Sequence, residues 1–289
     1  MKKLQRWYEL SSEGLEASFN PRATLGEEVA ALIEAWMKGS AATTPQLPGP
    51  FDLTYGDHSL CNFDVHPGRD NHPLMIFIHG GAWRALDKSS MNQHVLAMHQ
   101  RGWHVINMNY PLCPEVSITE IYNGLRDGIM NILSRLSEWN ITPSVTLVGG
   151  HSAGGHAACW LAREEICHGK FDGVVSVSGV YELGAIAGTS IQDDVSFSSL
   201  EIANMDLVTN PPQNIPILAT VGGSEPEAWL ASHGDFAASA GQSGCQLELF
   251  VIPNTNHFTV MDATVEGPNS QQLDDFAKRL IAAKNIASS

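Results

Sequence analysis

Residues 145–156 read V-T-L-V-G-G-H-S-A-G-G-H, and that stretch narrows what the chain can fold into more than any other. An apolar run with Val145, Leu147 and Val148 ends in Gly149-Gly150; His151 and Ser152 follow, and a helix-like segment opens at Ala153. Gly150-His151-Ser152-Ala153-Gly154 is therefore a G-x-S-x-G pattern set between a strand and a helix. A serine on so tight a turn sits in a disfavoured φ/ψ region, and its neighbours must be tiny for strand and helix to approach. The pattern predicts a hydroxyl held clear of a sheet, next to the positive end of a helix, ready for nucleophilic attack. The bland alternative is a glycine-rich turn with a bystander serine, since the bare pattern also occurs by chance.

The rest of the chain supplies the sheet that such a turn needs. Residues 74–78 are a continuous apolar run, as in a strand covered on both faces. Helix and strand patterns then alternate: a helix near 89–100, a strand at 105–109, a helix at 117–139, the strand at 145–148 with its helix, and a strand at 174–178. A strand at 215–221, a helix at 227–240, a strand at 246–252 and a helix at 271–283 complete the series. This alternation predicts an α/β fold with a mostly parallel central sheet and helices on both faces. Residues 51–55 and 60–66 alternate around Gly56-Asp57 and read as an antiparallel pair at a sheet edge. A length of 289 residues accommodates one large domain of this kind.

Two segments depart from the rhythm. In residues 1–50, Leu25, Val29, Leu32, Ile33 and Trp36 recur at helical spacing until Gly39-Ser40, and Asn20-Pro21 marks a turn that also sets up a helix start. Three prolines between Thr43 and Pro50 suggest a surface linker. We read 1–50 as an N-terminal helical extension, or cap, on an α/β domain at 51–289. Residues 181–212 are polar and end in Asn210-Pro211-Pro212. They are expected to form an insertion over the catalytic face with one short helix near 198–205, a plain surface loop being the alternative.

His79-Gly80-Gly81-Ala82-Trp83 directly follows the run at 74–78. Acyl transfer through a tetrahedral intermediate needs donors aimed at a developing oxyanion, and consecutive N–H groups on a glycine-rich turn can supply them. Gly81 and Ala82, together with Ala153 after the serine, are the candidates for this oxyanion hole. His79 reads as a brace for the loop. Trp83 reads equally well as a platform for an aromatic leaving group and as a core aromatic.

A serine nucleophile on such a turn needs an acid and then a histidine later in the chain. The strand at 215–221 ends in Gly222-Gly223-Ser224-Glu225-Pro226-Glu227. An acid just beyond a strand end can hold the imidazole Nδ1–H and stabilise imidazolium. Glu225 is our choice, and Glu227 is the runner-up because it can belong to the first turn of the next helix. His257, on the loop after the last strand, is placed to act as base and then acid. His233 lies in a helical pattern and is expected to be a solvated or packing residue; His151 and His156 are expected to be structural.

Composition removes other classes. The chain carries 16 Lys+Arg against 31 Asp+Glu, a formal charge of −15, which disfavours nucleic acid and anionic membrane as partners and leaves a small-molecule substrate. Met1-Lys2-Lys3 looks like the start of a signal peptide, but Glu9, Glu13 and Glu16 stand where its apolar core should be, so a cytoplasmic location is expected. The five cysteines are scattered without C-x-x-C and read as reduced, mostly buried thiols. None of the 12 histidines forms H-E-x-x-H, so neither a metal nor an organic cofactor is expected. No heptad pattern marks an interface, which leaves a homodimer open.

These residues resemble the α/β-hydrolase superfamily of serine hydrolases, near the hormone-sensitive-lipase-like esterases, and most closely the kynurenine formamidase (arylformamidase) family. The family's H-G-G-x-W motif is matched by His79-Gly80-Gly81-Ala82-Trp83, where lipase-like relatives more often carry a third glycine at the place of Ala82. Also family-like are Gly150-His151-Ser152-Ala153-Gly154, Gly222-Gly223-Ser224-Glu225, Asn256-His257-Phe258, Asn109-Tyr110-Pro111-Leu112-Cys113-Pro114 and Asn20-Pro21-Arg22. A glutamate stands where many relatives have aspartate, and the likeness fades over 181–212. The resemblance implies an α/β-hydrolase fold and a serine hydrolase that cleaves a small N-formyl arylamine, N-formyl-L-kynurenine, through a formyl-enzyme. A carboxylesterase for short acyl esters is the alternative with the same machinery. A non-catalytic ligand-binding module is the third, although such modules usually lose a triad member or the oxyanion glycines.

Overall fold

The computed structural model describes residues 4–287, so the basic start at Met1-Lys2-Lys3 lies outside the described residues. In chain order these form α1 (Ser12–Phe19), α2 (Pro21–Leu25) and α3 (Glu28–Thr43), then β1 (Leu53–Thr54), β2 (Asn62–His66) and β3 (Leu74–Ile78). Next come α4 (Asn92–Gln100), β4 (His104–Met108), α5 (Ile118–Ser134), β5 (Thr146–His151) and α6 (Ala153–Leu161). The remainder comprises α7 (Glu164–Cys167), β6 (Gly173–Val177), α8 (Leu183–Ala187), α9 (Gln192–Val195) and α10 (Ser199–Met205), then β7 (Ile217–Gly222) and α11 (Glu227–Gln242). Strand β8 (Leu247–Ile252), α12 (Thr259–Val265) and α13 (Ser270–Ala287) close the chain.

The strands form one sheet in the order β1-β2-β4-β3-β5-β6-β7-β8. Only β2 runs antiparallel to its neighbours, β1 and β4; the rest pair in parallel. Side chains alternate across a strand, so each buried strand feeds two cores. Leu74, Ile76 and Ile78 of β3 join Leu125 and Ile129 of α5, Ala157 of α6 and Phe236 of α11 on one face. Met75 and Phe77 join Val95 of α4, Met261 of α12 and Phe276 of α13 on the other. This is the predicted α/β-hydrolase arrangement, and it puts β5 at the centre with its C-terminal end open for a site.

Several boundaries differ from the sequence expectations for identifiable reasons. Strand β5 continues past 148 to His151, because Gly149 and Gly150 pair with Val175 and Ser176 and still hold the ladder. Helix α3 does not stop at Gly39-Ser40: Gly39 lies against Gln93, where a Cβ would collide, and Ser40 Oγ donates to the Ser90 carbonyl at 2.8 Å. The stretch after Thr43 begins with a 3-10 turn at Thr44–Gln46 and buries Leu47, so it is only partly a surface linker. Helix α12 was not anticipated, its short register being hidden in what reads as a loop. Residues 181–212 contain three short helices rather than one. No helix among the described residues is long and apolar enough to cross a membrane.

The turn after β5 depends on close backbone approach. A Cβ on Gly154 would lie 2.0 Å from the Ile78 carbonyl oxygen, and one on Gly150 would lie 2.4 Å from the same atom. Both obstacles are backbone in a central strand and cannot swing aside. Gly154→Ala is therefore expected to cost about 3 kcal/mol, the upper end for overpacking, read as a lowered urea midpoint. Wild-type stability in this variant would contradict the packing described.

Candidate active site

Ser152 sits between β5 and α6 with φ 55° and ψ −117°, held by its own N–H on the Val177 carbonyl at 2.9 Å. Its Oγ lies 2.9 Å from His257 Nε2, and His257 Nδ1 lies 2.8 Å from Glu225 Oε2. All three are buried. Glu225 comes from the turn after β7 and His257 from the loop between β8 and α12, so the ends of β5, β7 and β8 converge. Glu227, the alternative acid, is instead the first residue of α11. Gly222 N–H donates to Glu225 Oε1 at 2.8 Å, and Ser178 Oγ donates to the same carboxylate at 2.7 Å. Burial alone raises the Glu225 carboxyl; the attraction and hydrogen bond of His257, with Ser178, outweigh it and leave the pKa below the usual value. The acid therefore stays ionised beside the imidazole.

The oxyanion candidates lie on the facing loop. Gly81, Ala82 and Trp83 have φ of 115°, 50° and 58°, three successive residues on the left-handed side. Glycine is required at 81, where a Cβ would fall 1.9 Å from the Ala85 carbonyl oxygen. Among the described residues, the N–H groups of Gly81, Ala82 and Ala153 meet no carbonyl acceptor. Ala153 opens α6, so its amide has no helical partner and lies at the positive end of the helix.

The surrounding histidines brace this loop. His79 Nδ1 donates to the Gly80 carbonyl at 2.6 Å, Nε2 meets the Asn109 side chain at 3.0 Å, and the ring stacks on Tyr110 at 4.1 Å. His151 Nε2 donates to the His257 carbonyl at 2.7 Å, fixing the backbone under the candidate base. His156 Nε2 donates to the Met205 carbonyl at 2.9 Å while Nδ1 accepts from Tyr122 O–H at 2.6 Å. Trp83 Nε1–H in turn donates to the Tyr122 oxygen at 3.0 Å. Trp83 is 1% exposed and held by that hydrogen bond, as the core reading expects, and it also lines the cavity beside Ser152, as the platform reading expects. His233 is likewise fully buried, a packing residue and not a solvated one.

A cavity of about 180 Å³ opens onto Ser152 and His257. Phe19, Trp36, Trp229 and Phe258 border it, with Val180, Ile186 and Ile191 from the chain after β6. The N-terminal helices supply Asn20, Pro21, Arg22, Val29 and Ile33 to the same wall. Asn20 caps α2 by accepting from Arg22 N–H at 3.1 Å and donates to Ser190 Oγ at 3.1 Å, joining the N-terminal segment to the insertion. Arg84, just past the loop at 79–83, pairs with Asp194 of α9 across the rim. Sequence reading missed Ser178 and Trp229. Their only signal was that β6 and β7 end side by side, which places Ser178 next to the acid turn.

Among the described residues, one group has metal-ligand spacing: His94, Asp262 and Glu266. His94 Nε2 already bonds Asp262 Oδ1 at 2.7 Å, and Trp36 Nε1 donates to the same oxygen at 3.0 Å. Those contacts tie α3 and α4 to α12. All five cysteines are buried free thiols.

Known proteins fit this architecture. A family model described as BD-FAE matches residues 65–201. The kynurenine formamidase of Salmo salar is 22% identical, over 91% of this chain and 95% of its own. LipM of Mycobacterium tuberculosis, named for carboxylic ester hydrolysis, is 25% identical over 44% of this chain and 34% of its own. Among solved structures, a phosphonate-inhibited esterase B of Lactobacillus rhamnosis superposes with a TM-score of 0.69 at 17% identity, covering 91% of this chain and 98% of that one. The chain is a hydrolase with the α/β-hydrolase fold, and kynurenine formamidases are among its homologues.

Two outcomes follow from the geometry. Glu225→Gln should lower kcat by about 10³–10⁴-fold, as loss of an orienting carboxylate does, while Glu227→Gln stays within about twofold on the same scale; the reverse result would move the acid to Glu227. Burial also lowers the imidazoles of His79 and His233 to about 4 and that of His156 to about 3. The unfolded chain titrates them near 6.5 and so binds more protons below that pH. Stability present at neutral pH is therefore lost as pH falls from about 6.5 towards 4, by up to about 1.4 kcal/mol per pH unit for each group. Urea midpoints measured from pH 8 to pH 5 should fall in that window, and a flat profile would contradict the buried neutral state.

Proposed function

We propose that the chain hydrolyses a small N-formyl arylamine, N-formyl-L-kynurenine, to kynurenine and formate. The observation that carries this reading is the reach of the kinship. The match to the Salmo salar kynurenine formamidase covers more of the chain than residues 51–289 make up, so it extends into the N-terminal segment that walls the cavity. The ester-hydrolase relative covers less than half. The cavity suits the substrate as well. Phe19, Trp36, Trp229 and Phe258 offer aromatic surface for an arylamine, and Arg22 offers a cationic group for an amino-acid carboxylate.

In this mechanism Ser152 Oγ attacks the formyl carbon while His257 Nε2 takes its proton, and Glu225 steadies the imidazolium through Nδ1–H. The oxyanion rests on the N–H groups of Gly81, Ala82 and Ala153. His257 then protonates the departing arylamine nitrogen, leaving a formyl ester on Ser152. Water, deprotonated by His257, attacks that ester; formate leaves and the serine recovers its proton. Formamide and water thus become amine and formate with no redox change, and no metal or organic cofactor is needed. A formyl group has no acyl chain, so the whole cavity can serve the leaving group. We place the reaction in the cytosol, where five reduced thiols are at home.

A carboxylesterase for short acyl esters would use the same groups, and the kinship with LipM favours it as the second reading. Steady-state rates separate the two. We expect kcat/KM for N-formyl-L-kynurenine to lie in the ordinary enzyme range of about 10⁴–10⁸ M⁻¹s⁻¹ and to exceed that for p-nitrophenyl acetate and butyrate, with Ser152→Ala abolishing both activities. Preference for the esters by orders of magnitude would overturn the formamidase reading and establish the esterase.

A further inference from the structure

Ser178 has appeared so far only as a donor to Glu225, yet its hydroxyl sits between three of the groups around the site. The residue follows β6 with φ 44°, an uncommon conformation for a non-glycine residue. It is fully buried, and its N–H donates to the Thr220 carbonyl at 2.7 Å, which locks the backbone to β7. Its Oγ has four polar neighbours: Glu225 Oε1 at 2.7 Å, Glu225 Oε2 at 2.8 Å, His257 Nδ1 at 2.9 Å and Trp229 Nε1 at 3.0 Å.

A hydroxyl has one proton and two lone pairs, and that count decides the network. The ionised carboxylate can only accept, so the Ser178 proton goes to Glu225. The indole N–H can only donate, so Trp229 takes one lone pair. The second lone pair faces His257 Nδ1, which must therefore carry a hydrogen, shared between Ser178 Oγ and Glu225 Oε2. Nε2 is then bare and can accept the proton of Ser152 O–H. Every group is satisfied in this one arrangement, and it sets the imidazole tautomer that a base needs.

We infer that Ser178, held by Trp229, is a positioning residue that fixes the carboxylate of Glu225 and the tautomer of His257. This rests on the reading of Ser152, His257 and Glu225 as the triad. The need for it follows from the acid being glutamate, whose extra rotatable bond leaves the carboxylate freer than that of an aspartate. Gly222 N–H pins one oxygen, and Ser178 bridges both. Trp229 contributes a second restraint: its ring meets the His257 imidazole edge-on, with centroids 5.1 Å apart at 89°.

The competing view is that Ser178 only satisfies the buried Trp229 indole. Kinetics with N-formyl-L-kynurenine and p-nitrophenyl acetate on Ser178→Ala, Trp229→Phe and the double variant distinguish the two. Positioning predicts that Ser178→Ala lowers kcat on the order of 10- to 100-fold with KM within about twofold, and that the double variant lies below Trp229→Phe by a similar factor. An indole-partner role predicts that the double variant matches Trp229→Phe, because the orphaned donor is gone. That result, or a Ser178→Ala kcat within about twofold of wild type, overturns the inference. If Ser178→Ala fails to fold, Ser178→Gly, which the positive φ favours, replaces it in the set. Full activity in Ser152→Ala would instead sink the triad itself, so the two failures are distinguishable.

Discussion

A serine held at φ 55° and ψ −117° is the constraint on which the rest of the molecule depends. Such a conformation costs roughly 1–3 kcal/mol and persists only where its surroundings over-determine it. Here the surroundings are β3, β5 and α6 in close backbone contact, with Gly150 and Gly154 pressed on the Ile78 carbonyl. The Ser152 N–H is tied sideways to β6, through the Val177 carbonyl. Parallel strands buried on both faces make that arrangement rigid, because no neighbour can move without opening one of the two cores.

The same rigidity is passed to the other side of the site. One chain of hydrogen bonds runs from Trp83 on the loop after β3 to Tyr122 of α5, His156 of α6 and the Met205 carbonyl at the end of α10. Each donor and acceptor in it is used once, so the loop after β3, the helix behind Ser152 and residues 181–212 are mutually fixed. His151 does the same for His257 by holding its carbonyl. Its ring meets Trp36 edge-on, as do those of His94 and Phe258, and so couples the site to α3. The N-terminal helices are thus part of the site's support as well as of the cavity wall.

What could be read from the sequence divides along physical lines. Strand β3, the serine turn and the glycine-rich loop at 79–83 were legible because local rules determine them: unbroken apolar runs, glycines at forced approaches, a strand-turn-helix spacing. Glu225 and His257 were legible through their positions at strand ends. Ser178 was not, since a serine at a strand end carries no local mark, and its role exists only through β6 lying beside β7. Trp83 could be read two ways because its indole partner, Tyr122, and the cavity it lines both depend on residues remote in sequence. Helix α3 overran Gly39-Ser40 because contact with α4 outweighed intrinsic preference. The short helices of 181–212 were obscured for a similar reason: they are held by contacts with Asn20, Arg84 and Thr119, all remote in sequence.

Whether Ser152 is the nucleophile that these restraints serve can be read directly with a fluorophosphonate, which reacts far faster with an activated serine than with an ordinary hydroxyl. After labelling and digestion, mass spectrometry should find the adduct on the peptide containing Ser152, formed rapidly in the wild-type chain and far more slowly in His257→Ala. An adduct on any other residue, or labelling of Ser152 at the same rate in both proteins, would contradict the account.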